Sequence, residues 1–407
     1  MKDLLRIALI GAGGYGQNHL QALEEYDEKG LLRFVAVADP TAEKLLPEKS
    51  RVEARGVRWF DDYRTMFEGT GLDAVVISTP IPLHLPMLEA ALDRKLAVLL
   101  EKPPVPLIQD FLRVNARPEA ARVALGFKLI ADPKLWRLKR AILDGSLGTI
   151  RHISGSACWP RLDSYYSRAG WAGRMTWNGM AVLDGPVTNA LAHILHNMMF
   201  LAGETGFAVP KTVRAELYRA RRIESYDVCC LAGGWASGVT FSAAFTHAVE
   251  RKVQWSVVVE GDRGTARLGP DNLVFETGSP VPGEEAPAGD LFRDSWRDFY
   301  RMAIGELAKP LTSFGDCLAY MAATNAMFVS SGRIHPLPPA AVRRYEAGGD
   351  GGFNVPGIAS LIDETAKTGR LFSEQNVPWA VAGSPVDVSS LRDFPMQDLV
   401  REGKAAP

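Results

Sequence analysis

Six residues, Gly11-Ala12-Gly13-Gly14-Tyr15-Gly16, constrain this chain of 407 residues more than any other segment. They follow a compact apolar run, Arg6–Ile10, and open a stretch with helix-compatible spacing, Gln17–Tyr26. In a G-x-G-x-x-G turn, Gly11 permits the tight turn and Gly13 lets the backbone approach a pyrophosphate. Gly16 allows close packing of helix against strand. The helix N-terminus beyond it offers the positive end of its dipole to phosphate oxygens. Glycines also mark turns that hold no ligand, so the context decides. Here Asp39 closes the next apolar run, 23 residues after Gly16. A carboxylate at that place accepts hydrogen bonds from ribose hydroxyls and repels a 2′-phosphate. Pro40 and Thr41 follow it rather than Arg or Lys, which favours NAD over NADP. Asp39 equally suits a strand-end cap for the next helix, and the two roles are compatible.

The runs Phe34–Ala38, Ala74–Ser78 and Ala97–Leu100 are apolar without alternation. Strands covered on both faces by crossover helices read this way, so a doubly wound parallel sheet of Rossmann type is predicted for residues 1–125. Helical spacing at Tyr63–Gly69 and Leu83–Arg94 fits between those strands. From Thr149 the pattern changes to longer strands: Thr149–Cys158, Thr212–Tyr218, Tyr226–Ala232, Gly238–Thr246 and Val253–Glu260. Several alternate apolar and polar residues, which implies one packed face and one wet or functional face. The prediction for residues 126–407 is an α+β domain with an open, largely antiparallel sheet. Gly278–Asp290 reads as a surface loop and Asn354–Thr368 contains a helical segment.

Bulk properties narrow the function by exclusion. The net charge of -1 supplies no global field for nucleic acid or an anionic membrane. The apolar runs fall far short of the ~20 residues a membrane helix needs. No secretory signal is visible at the N-terminus, and the four cysteines show no Cys-x-x-Cys spacing. A reducing cytoplasm is the expected location, with no metal site.

Beyond the glycine turn, Ser78-Thr79-Pro80, His84, Ala91-Leu92 and Glu101-Lys102-Pro103 stand in fixed order. Together with the turn and Asp39, they resemble the glucose–fructose oxidoreductase / inositol dehydrogenase family. The resemblance runs from Arg6 to about residue 335. It implies a two-domain oxidoreductase in which Gly11, Gly13, Gly14, Tyr15, Gly16, Asp39, Ser78, Thr79, Pro80, His84, Glu101 and Lys102 contact the cofactor. It also implies a homodimer or homotetramer, because the family's second sheet often packs against its copy. Independently of the family, Lys102 lies just past Ala97–Leu100, where catalytic groups of such sheets sit. It can hold its charge against an oxygen that becomes alkoxide-like, or it can pair with Glu101 on the surface.

Asp184 to Asn197 opens a helix, with Pro186 in its first turn and Gly203 at its stop. Val187, Ala190, Leu191, Ile194, Leu195 and Met198 form an apolar stripe, and Asn189, His193, His196 and Asn197 fall beside it. A polar stripe at the edge of a core face suits a helix that lines a pocket. The helix is similar to the family's second motif, which makes His193 the proton-transfer residue. The departure is Asn189, which stands where the family carries Asp; Asp184 or a tyrosine could take the proton instead. A pair of merely hydrogen-bonded histidines is the other reading of His193 and His196.

Trp159 to Arg174 packs three arginines and four aromatic rings into a segment with no regular period. Rings stack on pyranose faces, while Arg and Asp hold hydroxyls or a carboxylate. Arg161, Tyr165, Tyr166, Arg168 and Trp171 are therefore substrate-binding candidates, with Lys128, Asp184, Asn189 and His193. A lid or a subunit contact uses the same residue types. The expected function is hydride transfer between NAD and a secondary carbinol of a sugar, glycoside or cyclitol. A redox-neutral, NAD-dependent glycosidase and a non-catalytic NAD-bound sensor are the alternatives.

Overall fold

A computed structural model describes residues 4–278, 281, 283 and 289–396, so most of the expected loop after Gly278 lies outside the described residues. The chain forms two compact units. One comprises the chain up to Val105, Asp110–Ala131 and Gly289–Gly315; the other comprises Pro106–Gln109, Asp132–Ala288 and Asp316 onward.

The first unit runs β1 (Leu5–Ile10), α1 (Gly16–Glu28), β2 (Leu32–Ala38), α2 (Leu46–Glu53), β3 (Arg58–Phe60), α3 (Tyr63–Gly69), β4 (Ala74–Ile77), α4 (His84–Asp93), β5 (Ala97–Leu100) and β6 (Val123–Leu125). Its sheet has the order β3-β2-β1-β4-β5-β6, and every pair is parallel. The order reverses between β1 and β4, and that switch point is where open α/β sheets bind ligands. Every residue of β4 and β5 is buried, which explains runs without alternation. The three-residue strands β3 and β6 are too short to leave a periodic signal.

Gly289–Gly315 belongs to this unit, whereas a division of the chain at residue 125 assigns it to the second domain. Its helix, Leu291–Ala303, starts at Asp290, whose carboxylate accepts from the Phe292 and Arg293 N–H groups. Trp296, Phe299 and Met302 share one face and join the core of Leu20, Leu23 and Leu32. The chain then runs antiparallel to β6, with Leu125 N–H donating to Thr312 and Phe314 N–H to Val123.

The second unit contains β7 (Ile150–Cys158), β8 (Thr176–Trp177), β9 (Met180–Ala181), β10 (Thr212–Arg219), β11 (Val228–Gly234), β12 (Thr240–Thr246), β13 (Val253–Gly261), β14 (Gly264–Leu268), β15 (Leu273–Thr277), β16 (His335–Pro336), β17 (Arg343–Ala347), β18 (Asp350–Asn354) and β19 (Val386–Asp387). The main sheet has the order β15-β14-β13-β7-β12-β11-β10-β16, and β19 pairs with β10. The sheet is antiparallel except where β7 meets β12 and β10 meets β16. One face carries the helices Ala192–Ala202 and Leu318–Ser331. A Cβ on Gly155 of β7 would lie 2.5 Å from the Met198 sulfur, so that helix sits directly on the strand.

The opposite face, expected to be wet or functional, is covered by the C-terminal part of the chain rather than left to water. Val355, Ile358, Ile362, Leu371 and Phe372 pack on Cys158, Tyr218, Val228, Cys230 and Ala244. The expected helical segment is Ile358–Thr368, whereas Asn354 ends β18. Glu216 of β10 fastens this cover: its buried carboxylate accepts from the Ser373 N–H and hydroxyl and from Tyr218 Oη.

The stretch expected as one helix from Pro186 is two pieces. Pro186–Ala190 is a π turn closed by Leu191 N–H on Pro186 O at 2.7 Å, an i→i+5 bond, and Ala192–Ala202 is the α-helix. The wider turn breaks the 3.6-residue register on which the expected polar stripe depended. His196 and Asn197 are interior, at 0% and 2% exposure, so they correct the expectation that this edge faces a pocket. Between Ala192 and Leu201, His193 is the one residue that is not buried.

Candidate functional site

In the first unit the glycine turn has the shape its sequence demands. Gly11 has φ +86°, and a Cβ there would lie 2.4 Å from Ser78 O. A Cβ on Gly16 would lie 2.0 Å from Gly11 O, so the start of α1 cannot close on β1 with any side chain at that position. Over Gly13 nothing comes nearer than 3.9 Å, which leaves the cradle that a pyrophosphate needs. Asp39 is buried at the end of β2 and serves both neighbours. Oδ2 accepts from Ala12 N–H at 2.9 Å, and Oδ1 accepts from the Thr41 N–H and hydroxyl. The local turn at Asp39–Thr41 and the link to the glycine turn are thus one device. Tyr15 is 42% exposed, and the Lys128 ammonium lies 5.5 Å from its ring centroid.

The loops after β4 and β5 are joined by His84. Its Nδ1 faces Pro103 O at 2.8 Å and its Nε2 faces Thr79 O at 3.0 Å, while its ring is 1% exposed. Burial pushes this imidazole below its ordinary range, against the pull of both carbonyls and Glu101. Thr79 Oγ1 reaches the Met87 sulfur at 3.4 Å. Lys102 is half-buried and precedes a cis peptide to Pro103.

Glu101 does not face solvent. Oε1 meets His19 Nε2 at 3.0 Å and Oε2 accepts from Lys102 N–H. On the far side of that ring, Trp296 Nε1 lies 2.9 Å from His19 Nδ1. An indole N–H can only donate, so Nδ1 is the acceptor and the proton sits on Nε2, pointing at Glu101. Burial raises the Glu101 carboxyl. The His19 hydrogen bond, the Lys102 charge and the Lys102 N–H hold the group below the usual carboxylate range. His19 and Trp296 escape sequence reasoning. Only the place of His19 one turn past Gly16 hints at it, and nothing local hints at Trp296.

In the second unit, the segment after β7 is partly regular: Asp163–Ser167 is a short helix. Tyr165 lies between two guanidiniums, Arg168 at 3.5 Å and Arg161 at 4.7 Å from its ring centroid. Arg168 also lies 5.0 Å from the Trp171 ring. The Tyr165 hydroxyl is 3.5 Å from Asn189 Nδ2, and that amide donates to Asp184 Oδ1 at 2.8 Å. Asp184 Oδ2 accepts from Gly173 N–H. A carboxylate is therefore bonded to the asparagine that stands in the expected acid's place. Tyr166 turns inward instead, under Arg221, with its hydroxyl buried. The structure thus brings Arg161, Tyr165, Arg168, Trp171, Asp184 and Asn189 together, while Lys128 belongs to the first unit. Among the described residues, no cluster of three His, Cys, Asp or Glu could hold a metal, and no helix is long and apolar enough to cross a membrane.

An open glycine cradle at the switch point of a six-stranded parallel sheet defines a dinucleotide-binding protein of the doubly wound class. Comparison with known proteins specifies it further. The oxidoreductase family with an NAD-binding Rossmann fold matches residues 5–127, and the GFO/IDH/MocA C-terminal domain matches residues 135–267. The chain belongs to the GFO/IDH/MocA oxidoreductase family.

Inositol 2-dehydrogenase 4 of Saccharopolyspora erythraea is 37% identical over 147 residues, 35% of this chain and 42% of that protein. D-apiose dehydrogenase of Paraburkholderia graminis is 28% identical over 275 residues, 65% of this chain and 67% of that protein. The chain thus spans under half the length of two inositol 2-dehydrogenases that it matches, 42% of one and 43% of the other. Among solved structures, the WlbA dehydrogenase of Bordetella pertussis, in complex with NADH and UDP-GlcNAcA, shares the fold. Its TM-score is 0.69 at 23% identity, over 81% of this chain and 96% of that one.

Proposed function

We propose that this chain is a dehydrogenase that moves a hydride between NAD and a secondary carbinol of a sugar, glycoside or cyclitol. The observation that carries the reading is the open cradle over Gly13 together with Lys102 at the carboxyl end of β5, on a loop pinned through Glu101. The names of its relatives, inositol 2-dehydrogenase and D-apiose dehydrogenase, support the substrate class. NAD, held by Gly11, Gly13, Gly14, Tyr15, Gly16, Asp39 and the Ser78–Pro80 and Glu101–Lys102 loops, supplies the hydride acceptor when bound. The Asp39 carboxylate favours it over NADP by repelling a 2′-phosphate.

Lys102 holds its charge against the carbinol oxygen as that oxygen gains negative character. His193, partly exposed among the buried residues Ala192 to Leu201, takes the hydroxyl proton, the part imidazoles commonly play in proton transfer. Asn189, bonded to Asp184, brings a carboxylate near that position without being one. His84, which the family resemblance places among the cofactor contacts, clamps the two loops that carry Thr79 and Lys102. The family resemblance implies association as a homodimer or homotetramer, while one face of the second sheet is already covered by residues 355–372 of the same chain. Light scattering on the purified chain checks this.

The test mixes purified protein with NAD and a panel of monosaccharides, glycosides, uronic acids and inositols, and follows NADH absorbance. NADH should form with one substrate class and fall at least ~100-fold in Lys102→Ala, the size of a lost charge-stabilising contact. A flat trace across the panel would sink the dehydrogenase reading. Released aglycone without NADH would instead identify a redox-neutral glycosidase, and no reaction of either kind would leave an NAD-bound sensor.

A further inference from the structure

Two guanidiniums beside the Tyr165 ring, Arg161 and Arg168, have no carboxylate partner of their own among the described residues. Asp163 is taken by Arg221 and by Arg344, the latter at 2.6 Å. Glu224 pairs with Arg174 at 2.8 Å, and Asp184 accepts from Asn189 and Gly173. Arg161 and Arg168 are left over: no carboxylate of the described residues lies within 4.0 Å of either guanidinium. Arg161 touches only rings through its charged end, at 5.6 Å from Trp159 and 4.7 Å from Tyr165, and its Nε is buried with no hydrogen-bond partner. The Arg168 guanidinium reaches the Tyr165 carbonyl. The guanidinium charges reach His247, which burial first and then Arg161, Arg221 and Arg168 push down to about 3.

With its Nε closed off from solvent, the half-buried Arg161 guanidinium offers a ligand its terminal N–H groups. Its planar fork matches the two oxygens of a carboxylate. The Tyr165 ring lies 4.7 Å from it, and the Tyr165 hydroxyl reaches Asn189 Nδ2 at 3.5 Å, so polar groups for neighbouring hydroxyls belong to the same cluster. We propose that the substrate is a carboxylate-bearing carbohydrate, a sugar acid whose carboxylate is read by Arg161 with Arg168. This rests on reading residues 159–174 as substrate-contacting and narrows the substrate class given above.

Calorimetric titration of the NAD-loaded full chain separates recognition from turnover. D-glucuronate and D-galacturonate are compared with D-glucose, D-galactose, myo-inositol and D-glucose 6-phosphate. A uronate should bind at least tenfold more tightly than its neutral counterpart. That ratio should fall at least tenfold in Arg161→Gln and recover in part in Arg161→Lys. Arg168 is exposed, so Arg168→Gln provides a variant whose folding is not at stake, and it should lower the ratio in the same direction. Equal or tighter binding of the neutral sugars, a preference for the phosphate, or an unchanged ratio in both Gln variants would overturn the proposal. NADH formation from neutral polyols without acid preference would sink this inference and leave the dehydrogenase reading standing. Tight uronate binding without NADH formation would do the reverse.

Discussion

At the scale of single residues, His19 has its proton placed by its neighbours. With the Trp296 indole on Nδ1, only Nε2 can carry hydrogen to Glu101. Replacing His19 by Leu strands a buried indole N–H and one oxygen of a buried carboxylate. Each orphaned group costs about 1–3 kcal/mol. We expect His19→Leu to lose about 2–4 kcal/mol in urea unfolding, while Trp296→Phe, which removes a donor and leaves the imidazole neutral, loses less. The reverse order would show that the ring packing of Trp296 matters more than its hydrogen bond. Gly16→Ala places a methyl 2.0 Å from Gly11 O, so the turn must open. NAD affinity, read by protein fluorescence, should fall at least tenfold.

At the scale of elements, the C-terminal part of the chain is a cover for a sheet. Strands β7, β10, β11 and β12 present Cys158, Tyr218, Cys230 and Ala244 on the face that Ile358, Ile362 and Phe372 bury. A chain ended at Pro336 exposes that apolar face and should self-associate, which light scattering would detect. A monodisperse, fully folded truncation would contradict the cover. Glu216→Ala removes the carboxylate that Ser373 and Tyr218 share, so the cover should loosen first. Limited proteolysis should cut between residues 337 and 380 before any other place. The alternation in these strands was legible in the sequence, but it cannot say whether the second face meets water or a distant part of the same chain. That contact joins residues far apart along the chain, and no local pattern encodes its partner.

For the molecule as a whole, buried ionisable groups set how stability depends on pH. His196 and His247 are fully buried, and burial pushes both down to about 3. Below their unfolded value near 6.5 the unfolded chain binds protons that the folded chain refuses, so stability falls as pH drops below 6.5. Asp227 works in the opposite direction. Burial raises it to about 6, so between roughly pH 4 and 6 the folded chain holds a proton that the unfolded chain has lost. Its contribution therefore falls as pH rises through that window. Two histidines outweigh one aspartate, and urea midpoints should be lower at pH 5 than at pH 7. Asp227→Asn removes the opposing contribution, so the slope between those pH values should steepen. A slope unchanged or flatter in that variant would contradict the assignment.

What the sequence determined by itself was whatever short-range pattern can carry. A glycine turn between a strand and a helix specifies its own geometry, because only a missing Cβ permits the approaches at Gly11 and Gly16. Runs such as Ala74–Ile77 and Ala97–Leu100 announce strands covered on both faces, because burial leaves no reason for polar alternation. Asp39 and the ring-and-arginine segment stand out in the sequence by local pattern, whereas the Glu101-Lys102-Pro103 loop is picked out by its resemblance to the family. Only the tertiary structure decided which polar groups meet. It put Trp296 on His19, Glu216 under Ser373 and Asp184 on Asn189, and turned His196 into the core by a π turn that no 3.6-residue count anticipates. A hydrogen bond between distant segments depends on where the whole chain carries each atom, and a linear sequence lists the atoms without their distances.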